Sequence, residues 1–154
     1  MILLDADILL IELRYQNDSR FSVNRQLLDL LRDEEYETGI TSQALLEVVG
    51  VLSFNVASAR VPPLPVLLCT QFRLSVFPDL QHTTEFAGCT FQEIISQMCR
   101  QMAAGDAVQA VQIDRYAADA ECLLTWNAKH FAGKLAVPVH TPSDWLTRSS
   151  STNP

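Results

Sequence analysis

Positive charge is scarce in this chain. Eleven Lys and Arg stand against eighteen Asp and Glu over 154 residues, a formal net charge of −7, and only Lys129 and Lys134 are lysines. With a pI near 4.8, broad nonspecific attraction to a polyanion is excluded. A phosphate-bearing substrate would have to be held by a local basic patch and bound metal. A long apolar run is also missing. MILLDADILLIEL is interrupted at Asp5 and Asp7, and nothing later reaches the ~18 uninterrupted apolar residues that suggest a membrane span. No membrane partner is expected, no charged leader precedes the first apolar stretch, and the expected setting is the cytoplasm. Cys69, Cys89, Cys99 and Cys122 show no Cys-x-x-Cys spacing; they fall in apolar surroundings and read as buried free thiols. His82, His130 and His140 are too scattered to suggest a zinc site. Gly and Pro are not in excess and 48% of the residues are hydrophobic, which excludes a disordered chain and suits one α/β domain with a real core.

What is present is an alternation of short apolar runs with helical periodicity. Ile2 to Leu4 reads as a buried strand that turns polar at Asp5, with a helix or turn from Ile8 to Leu13. Phe21 to Leu31 carries the spacing of an amphipathic helix. Tyr36 to Ile40 is β-compatible, and Thr41 or Ser42 can cap a helix that runs from about Gln43 into the fifties, weakened but not ended by Gly50. Pro65 can open a further helix. Leu74 to Phe77 reads as a strand closed by Pro78, and QHTTEFAGCT as loop. Phe91 to Met102 and the stretch opened by Asp106 read as helices; Glu121 to Thr125 and Ala136 to Val139 read as strands; Pro142 and Asp144 start a terminal turn or helix. Alternating strands and helices predict a mostly parallel sheet covered on both faces. Residues 1–147 form one domain and 148–154 a polar, frayed tail. In such sheets ligands bind beyond the carboxyl ends of the strands, where Asp5 and Asn127 are expected.

Acids distant in sequence gain meaning from that placement. Asp5 can be a cap or turn former. Asp7, two positions on, adds repulsion. Glu47 lies among Leu45, Leu46, Val48 and Val49, so it is expected to be partly buried and to need a partner, an arginine in the plainer reading. Asp106 follows Gly105 and can be an ordinary N-cap or first-turn acid. Gathered together, these oxygens suit Mg²⁺ or Mn²⁺ and metal-assisted hydrolysis of a phosphodiester.

LLDADILL, ITSQALLEVVG and GDAVQAVQIDRYAADAECLLTWNAKHF, in this order and followed by VPVHTP, resemble the motifs of PIN-domain proteins of the kind found as the toxin ribonuclease of VapBC toxin–antitoxin pairs. The resemblance spans nearly all of residues 1–147. It implies a three-layer α/β/α domain in which Asp5, Glu47 and Asp106 hold one or two divalent ions. Asn127 stands at a fourth catalytic position that is often Asp; its amide oxygen can coordinate a cation but adds no charge. Asp7 occupies a nearby position that is commonly Asn or Asp. Asp5 and Asp106 would ligate the metal, Glu47 would ligate it or orient the attacking water, and Ser42, Thr125 and Asn127 would support the site by hydrogen bonds. The resemblance further implies an RNA substrate cut to 5′-phosphate and 3′-hydroxyl ends, a homodimer, and an antitoxin wrapped across the cleft. Lys129, Arg14 and Arg100 are candidates for phosphate contacts, each with the alternative of an ordinary surface charge. His130 can bond near the cleft or pack beside Phe131. Tyr15 and Trp126 can stack on bases, although Trp126 adjoins a core strand.

Two rivals remain. One is a PIN-like module that binds RNA or protein without cutting, which the amide at Asn127 keeps open. The other uses Asp5-Ala6-Asp7 as the Asp-x-Asp of a haloacid-dehalogenase-like phosphatase; that family wants a downstream Lys and a later acidic pair, and neither pattern fits here.

Overall fold

Residues 1–79 and 88–151 are described by the computed structural model. His82 and most of the stretch read as loop lie outside the described residues. The chain order is β1 (Ile2–Leu4), α1 (Ala6–Leu13), α2 (Phe21–Asp33), β2 (Thr38–Thr41), α3 (Ser42–Ser53), a 3-10 turn (Ser58–Arg60), α4 (Leu64–Phe72), β3 (Leu74–Phe77), α5 (Phe91–Met98), α6 (Ala104–Tyr116), β4 (Cys122–Leu124), α7 (Ala128–Phe131), β5 (Val139–His140) and α8 (Pro142–Ser151).

The five strands form one sheet of order β3-β2-β1-β4-β5, and every pairing is parallel. Alternation along the strands splits the core. Ile2, Leu4, Ile40 and Leu124 face one way, onto α1, α2, α3 and α8. Leu3 and Leu123 face the other way, onto α6 and α7. This is the expected three-layer arrangement, with a sheet that is parallel throughout. Each fully buried Leu or Ile contributes ~1.5–3 kcal/mol. At Gly39 in β2 the layers approach so closely that a Cβ would lie 3.0 Å from both Met1 Sδ and Phe77 Cε2.

Chain order sets the place of the site. From β1 the chain moves to β2 and then β3 on one side, whereas β4 and β5 lie on the other. The order therefore reverses at β1 and β4, and the crevice beyond their carboxyl ends is a topological switch point. Asp5 follows β1 there, and Thr125 follows β4.

Several expected boundaries shift for local reasons. α5 stops at Met98 rather than Met102 because the chain turns through Gln101 at φ 61°; Met102 still reaches the core, 5% exposed. The last strand starts at Val139 instead of Ala136, since Pro138 has no N–H to give the ladder. α8 is started by reciprocal bonds between Thr141 and Asp144 and runs to Ser151, so residues 148–151 of the expected tail are helical. Of the four cysteines only Cys122 is buried; Cys69 and Cys89 are half-buried and Cys99 is exposed. Among the described residues no helix is long and apolar enough to cross a membrane.

Candidate functional site

Asp5 is built into the junction of β1 and α1. Its backbone is extended, and its Oδ1 accepts the Ala6 N–H at 2.7 Å, so it caps α1. The capping role and a role in the site are therefore both available to one carboxylate. Gln109 Nε2 donates to the same Oδ1 at 3.2 Å, and the Thr125 hydroxyl donates to Oδ2 at 2.7 Å. Three donors occupy three of the roughly four lone-pair sites of a carboxylate. The side chain is only 7% exposed. Burial raises its pKa; the bonds from Thr125, Ala6 and Gln109 oppose this, and the charge of Asp106 adds to it.

Asp7 stands one half-turn further along α1. Its Oδ2 accepts the Trp126 N–H at 2.9 Å and Asn127 Nδ2 at 3.3 Å, and lies 3.2 Å from Thr125 Oγ1. Its Oδ1 is buried and has no hydrogen-bond partner among the described residues. Burial, followed by the charge of Asp5, pushes its pKa up to about 7, against the bonds from Trp126 and Thr125 and the charge of Arg20. Thr125 is thus a bridge. It accepts the Asn127 N–H at 3.0 Å and has one proton to give. The short contact takes that proton to Asp5, and the Asp7 contact is then best satisfied when Asp7 carries a proton of its own.

Glu47 and Asp106 come from the helices on the two faces of the sheet. Glu47 is exposed on α3, not partly buried as expected, and no hydrogen bond or ion pair to it is found among the described residues, an arginine included. Residual desolvation, then the charges of Asp5 and Asp106, raise its pKa. Asp106 lies in the first turn of α6, whose N-cap is Ala103; it is a first-turn acid and not the cap. Its Oδ2 is 3.1 Å from His130 Nδ1, with side chains 26% and 46% exposed respectively. His130 therefore bonds at the cleft.

Ser42 and Asn127 complete the set of support residues. Ser42 is buried at the start of α3, where Thr41 is the cap. Its hydroxyl accepts Gln112 Nε2 at 2.7 Å, while Gln112 Oε1 accepts the Gln43 N–H at 3.1 Å. Asn127 is exposed and occupies the N-cap position of α7. Gln109 and Gln112 did not emerge from the sequence. The available signal was their spacing from Asp106, three and six residues on, which places all three along one stripe of α6.

Of the expected phosphate contacts, only Lys129 is near by chain position, exposed on α7 beside His130. Arg14 lies at the far end of α1, nine residues and roughly 13 Å of helix rise from Asp5. Arg100 is exposed, and its guanidinium bonds Gln97 Oε1 and the Gly133 carbonyl. The geometry gathers neither with the acids. Tyr15 is exposed, just past the far end of α1. Trp126 packs against the core with its indole N–H on Asn24 Oδ1 at 2.9 Å.

The donor chemistry fits a hard divalent cation: oxygen ligands, one buried carboxylate oxygen without a partner among the described residues, and neighbouring negative charge that helps to raise the pKa of Asp5, Asp7 and Glu47. The side chains are spread, however; among the described residues no three of His, Cys, Asp and Glu close into a metal-holding group.

No protein-family model and no curated protein matches the chain. Solved structures do. A chain of FitAB bound to an IR36 DNA fragment has a TM-score of 0.58 at 19% identity, over 92% of this chain and 95% of that one. A chain of VapBC2 from Rickettsia felis, bound to a DNA fragment from their promoter, has a TM-score of 0.59 at 16% identity, over 92% of this chain and 98% of that one. At these identities the likeness is one of fold, and the fold is PIN-like.

Proposed function

We propose that this chain is a divalent-metal-dependent ribonuclease and the toxin of a type II toxin–antitoxin pair. The observation that carries this reading is that the charges of Asp5 and Asp106 reach Glu47 and each other's surroundings at the switch point, adding to burial in raising the pKa of Asp5, Asp7 and Glu47, while Asp5 and Asp7 are tied by neutral donors. Asp5 and Asp106 would hold Mg²⁺ or Mn²⁺, with Asp7 Oδ1 and the Asn127 amide available beside them. When bound, the metal polarises a phosphoryl oxygen and acidifies a coordinated water. Thr125 and Gln109 fix the Asp5 carboxylate. Gln112 ties the start of α3 to α6, the two helices that carry Glu47 and Asp106. Glu47, exposed and with a raised pKa, suits orienting a water and accepting its proton. In-line attack would leave 5′-phosphate and 3′-hydroxyl ends.

A protein partner is supported by the fold shared with chains of FitAB and VapBC2 and by apolar side chains left in solvent. Phe54 is 90% exposed and Val66 69%, surface that an antitoxin segment or a second copy in a homodimer would cover. The phosphatase reading loses ground, since its would-be nucleophile, Asp5, is buried with donors on both oxygens. One observation favours a second reading: the spread of the acids suits a PIN-like module that binds RNA or protein without cutting.

The test is cleavage of single-stranded RNA with Mg²⁺, with Mn²⁺ and with EDTA, beside Mn²⁺ calorimetry on the wild type and on Asp5→Asn and Asp106→Asn. Metal-dependent cutting that both variants lose while remaining folded is expected. A folded wild type that binds no divalent ion and cuts no RNA would remove the reading.

A further inference from the structure

Arg20 sits at the edge of the acid cluster and is not among the basic residues that the sequence singles out. Its guanidinium is held on more than one side. Nε and Nη2 donate to the two oxygens of Asp18 at 2.9 and 2.7 Å, and the Arg20 backbone N–H donates to Asp18 Oδ1 at 2.8 Å. Cζ lies 5.7 Å from the centroid of the Trp126 ring. Trp126 is anchored in turn, through its indole to Asn24 and through its backbone N–H to Asp7 Oδ2. One residue thus carries both the guanidinium and the carboxylate. Their charges register each other: Arg20 opposes the raised pKa of Asp7, and Asp7 raises that of Arg20.

An exposed Arg–Asp pair alone contributes little to stability. Here the pairing orients the Arg. With Asp18 on one edge and indole on one face, Nη1 has no hydrogen-bond partner among the described residues, and the side chain is 44% exposed. A planar guanidinium can share its edges between a carboxylate and a phosphate, which an ammonium cannot do with the same geometry. α2 begins at the next residue without a side-chain cap, so the positive end of that helix adds to the same field. In a chain of net charge −7, a polyanion needs such a foothold before it can approach an acidic cleft.

We propose that Arg20, oriented by Asp18 and Trp126, is the phosphate contact that seats single-stranded RNA beside the acid cluster. The proposal rests on the ribonuclease reading and adds its substrate foothold. Trp126 acts here as a positioning residue. Its indole is packed on the core and covered by Arg20, so it is not a platform for a base.

The experiment is fluorescence anisotropy of a labelled single-stranded RNA oligonucleotide in EDTA, so that no strand is cut, over a series of salt concentrations. Arg20→Gln should weaken binding on the order of tenfold and lower the slope of log K against log salt by ~0.7, the value of one phosphate contact to a single strand. Arg20→Lys should restore the slope but not the full affinity, which a purely structural role would not separate. Arg32→Gln, which removes the same charge further along α2, should change neither. Unchanged affinity and slope in folded Arg20→Gln, with a wild type that binds RNA, overturns the proposal and leaves the ribonuclease reading standing. Loss of duplex DNA binding in place of RNA binding overturns it as well. A wild type that binds no RNA in EDTA also overturns the proposal, whereas the ribonuclease reading falls only with the cleavage assay in Mg²⁺ and Mn²⁺.

Discussion

Asp7 is expected to make the protein less stable as pH rises through neutrality, and Asp7→Asn to abolish that dependence. The carboxyl is half-buried, its Oδ1 has no partner among the described residues, and burial together with the charge of Asp5 pushes its pKa to about 7. In the unfolded chain an Asp titrates near ~3.9. Between those two values the folded state binds the extra proton. Stability from this group is therefore fully present below the unfolded value and is lost as pH rises through the folded one. Taking ~3.9 and about 7 as the two ends, the loss between pH 5 and pH 8 is on the order of 2–3 kcal/mol. Asp7→Asn removes the titration. The Asn carbonyl can still accept the Trp126 N–H, and any cost of placing an amide NH2 where Oδ1 has no partner is the same at every pH. The slope, not the absolute stability, is thus the quantity to read. Urea unfolding in EDTA at pH 5, 6, 7 and 8, followed by tryptophan fluorescence, measures it. The stability of the variant relative to wild type should climb by on the order of 2–3 kcal/mol across that range, and by somewhat more if Asp5 is eased by losing its neighbour's charge. Parallel profiles for the two proteins would refute the idea that Asp7 carries a proton in the folded chain.

Thr125→Val keeps the shape but removes the hydroxyl that Asp5 receives at 2.7 Å; in the same unfolding assay it should cost ~1.5–3 kcal/mol while Asp5 is ionised, and less as pH falls and Asp5, its pKa raised by burial, takes up a proton. Gln112→Leu should cost ~1–3 kcal/mol and speed hydrogen exchange at the Gln43 amide, which loses its acceptor; unchanged exchange there would mean that α3 is not held through this side chain. Among the thiols, exposed Cys99 should react first with Ellman's reagent at pH 8. Cys122, buried and pushed up to about 12, should react only on unfolding, and early modification of Cys122 would contradict its place in β4.

Local pattern made the scaffold legible. Ile2 to Leu4 followed by Asp5 announces a strand that ends in a polar crevice, and Thr41 announces the cap of α3. Asp5, Glu47 and Asp106 were legible as a set because their order matched a known motif pattern; composition and periodicity alone left each of them a plainer role. The donors that hold them were harder to see. Gln109 and Thr125 lie 104 and 120 residues from Asp5, and only the pairing of β1 with β4 and the packing of α6 bring them to it. The distance of Arg14 from the acids has a geometric reason. α1 starts at the acids and runs away from them, which carries Arg14 off, whereas the following loop returns and brings Arg20 to Trp126. Helix direction decides this, and a list of cations cannot supply it.

The partners of the acids say what kind of site this is. A lysine or arginine buried among Asp5, Asp7 and Asp106 would neutralise them and leave no need for anything else. To Asp5 and Asp7 the chain brings backbone N–H groups, a threonine hydroxyl, one glutamine and one asparagine amide instead. Neutral donors orient a carboxylate and lower the cost of its charge, but they do not cancel it. Such a cluster remains electrostatically unsaturated, and its cations are kept to the rim, where Arg20 stands. On the proposed reading, attraction for a positive ion within the crevice and for a phosphate at its edge would follow from one arrangement, because the acids and the cation are held in different places.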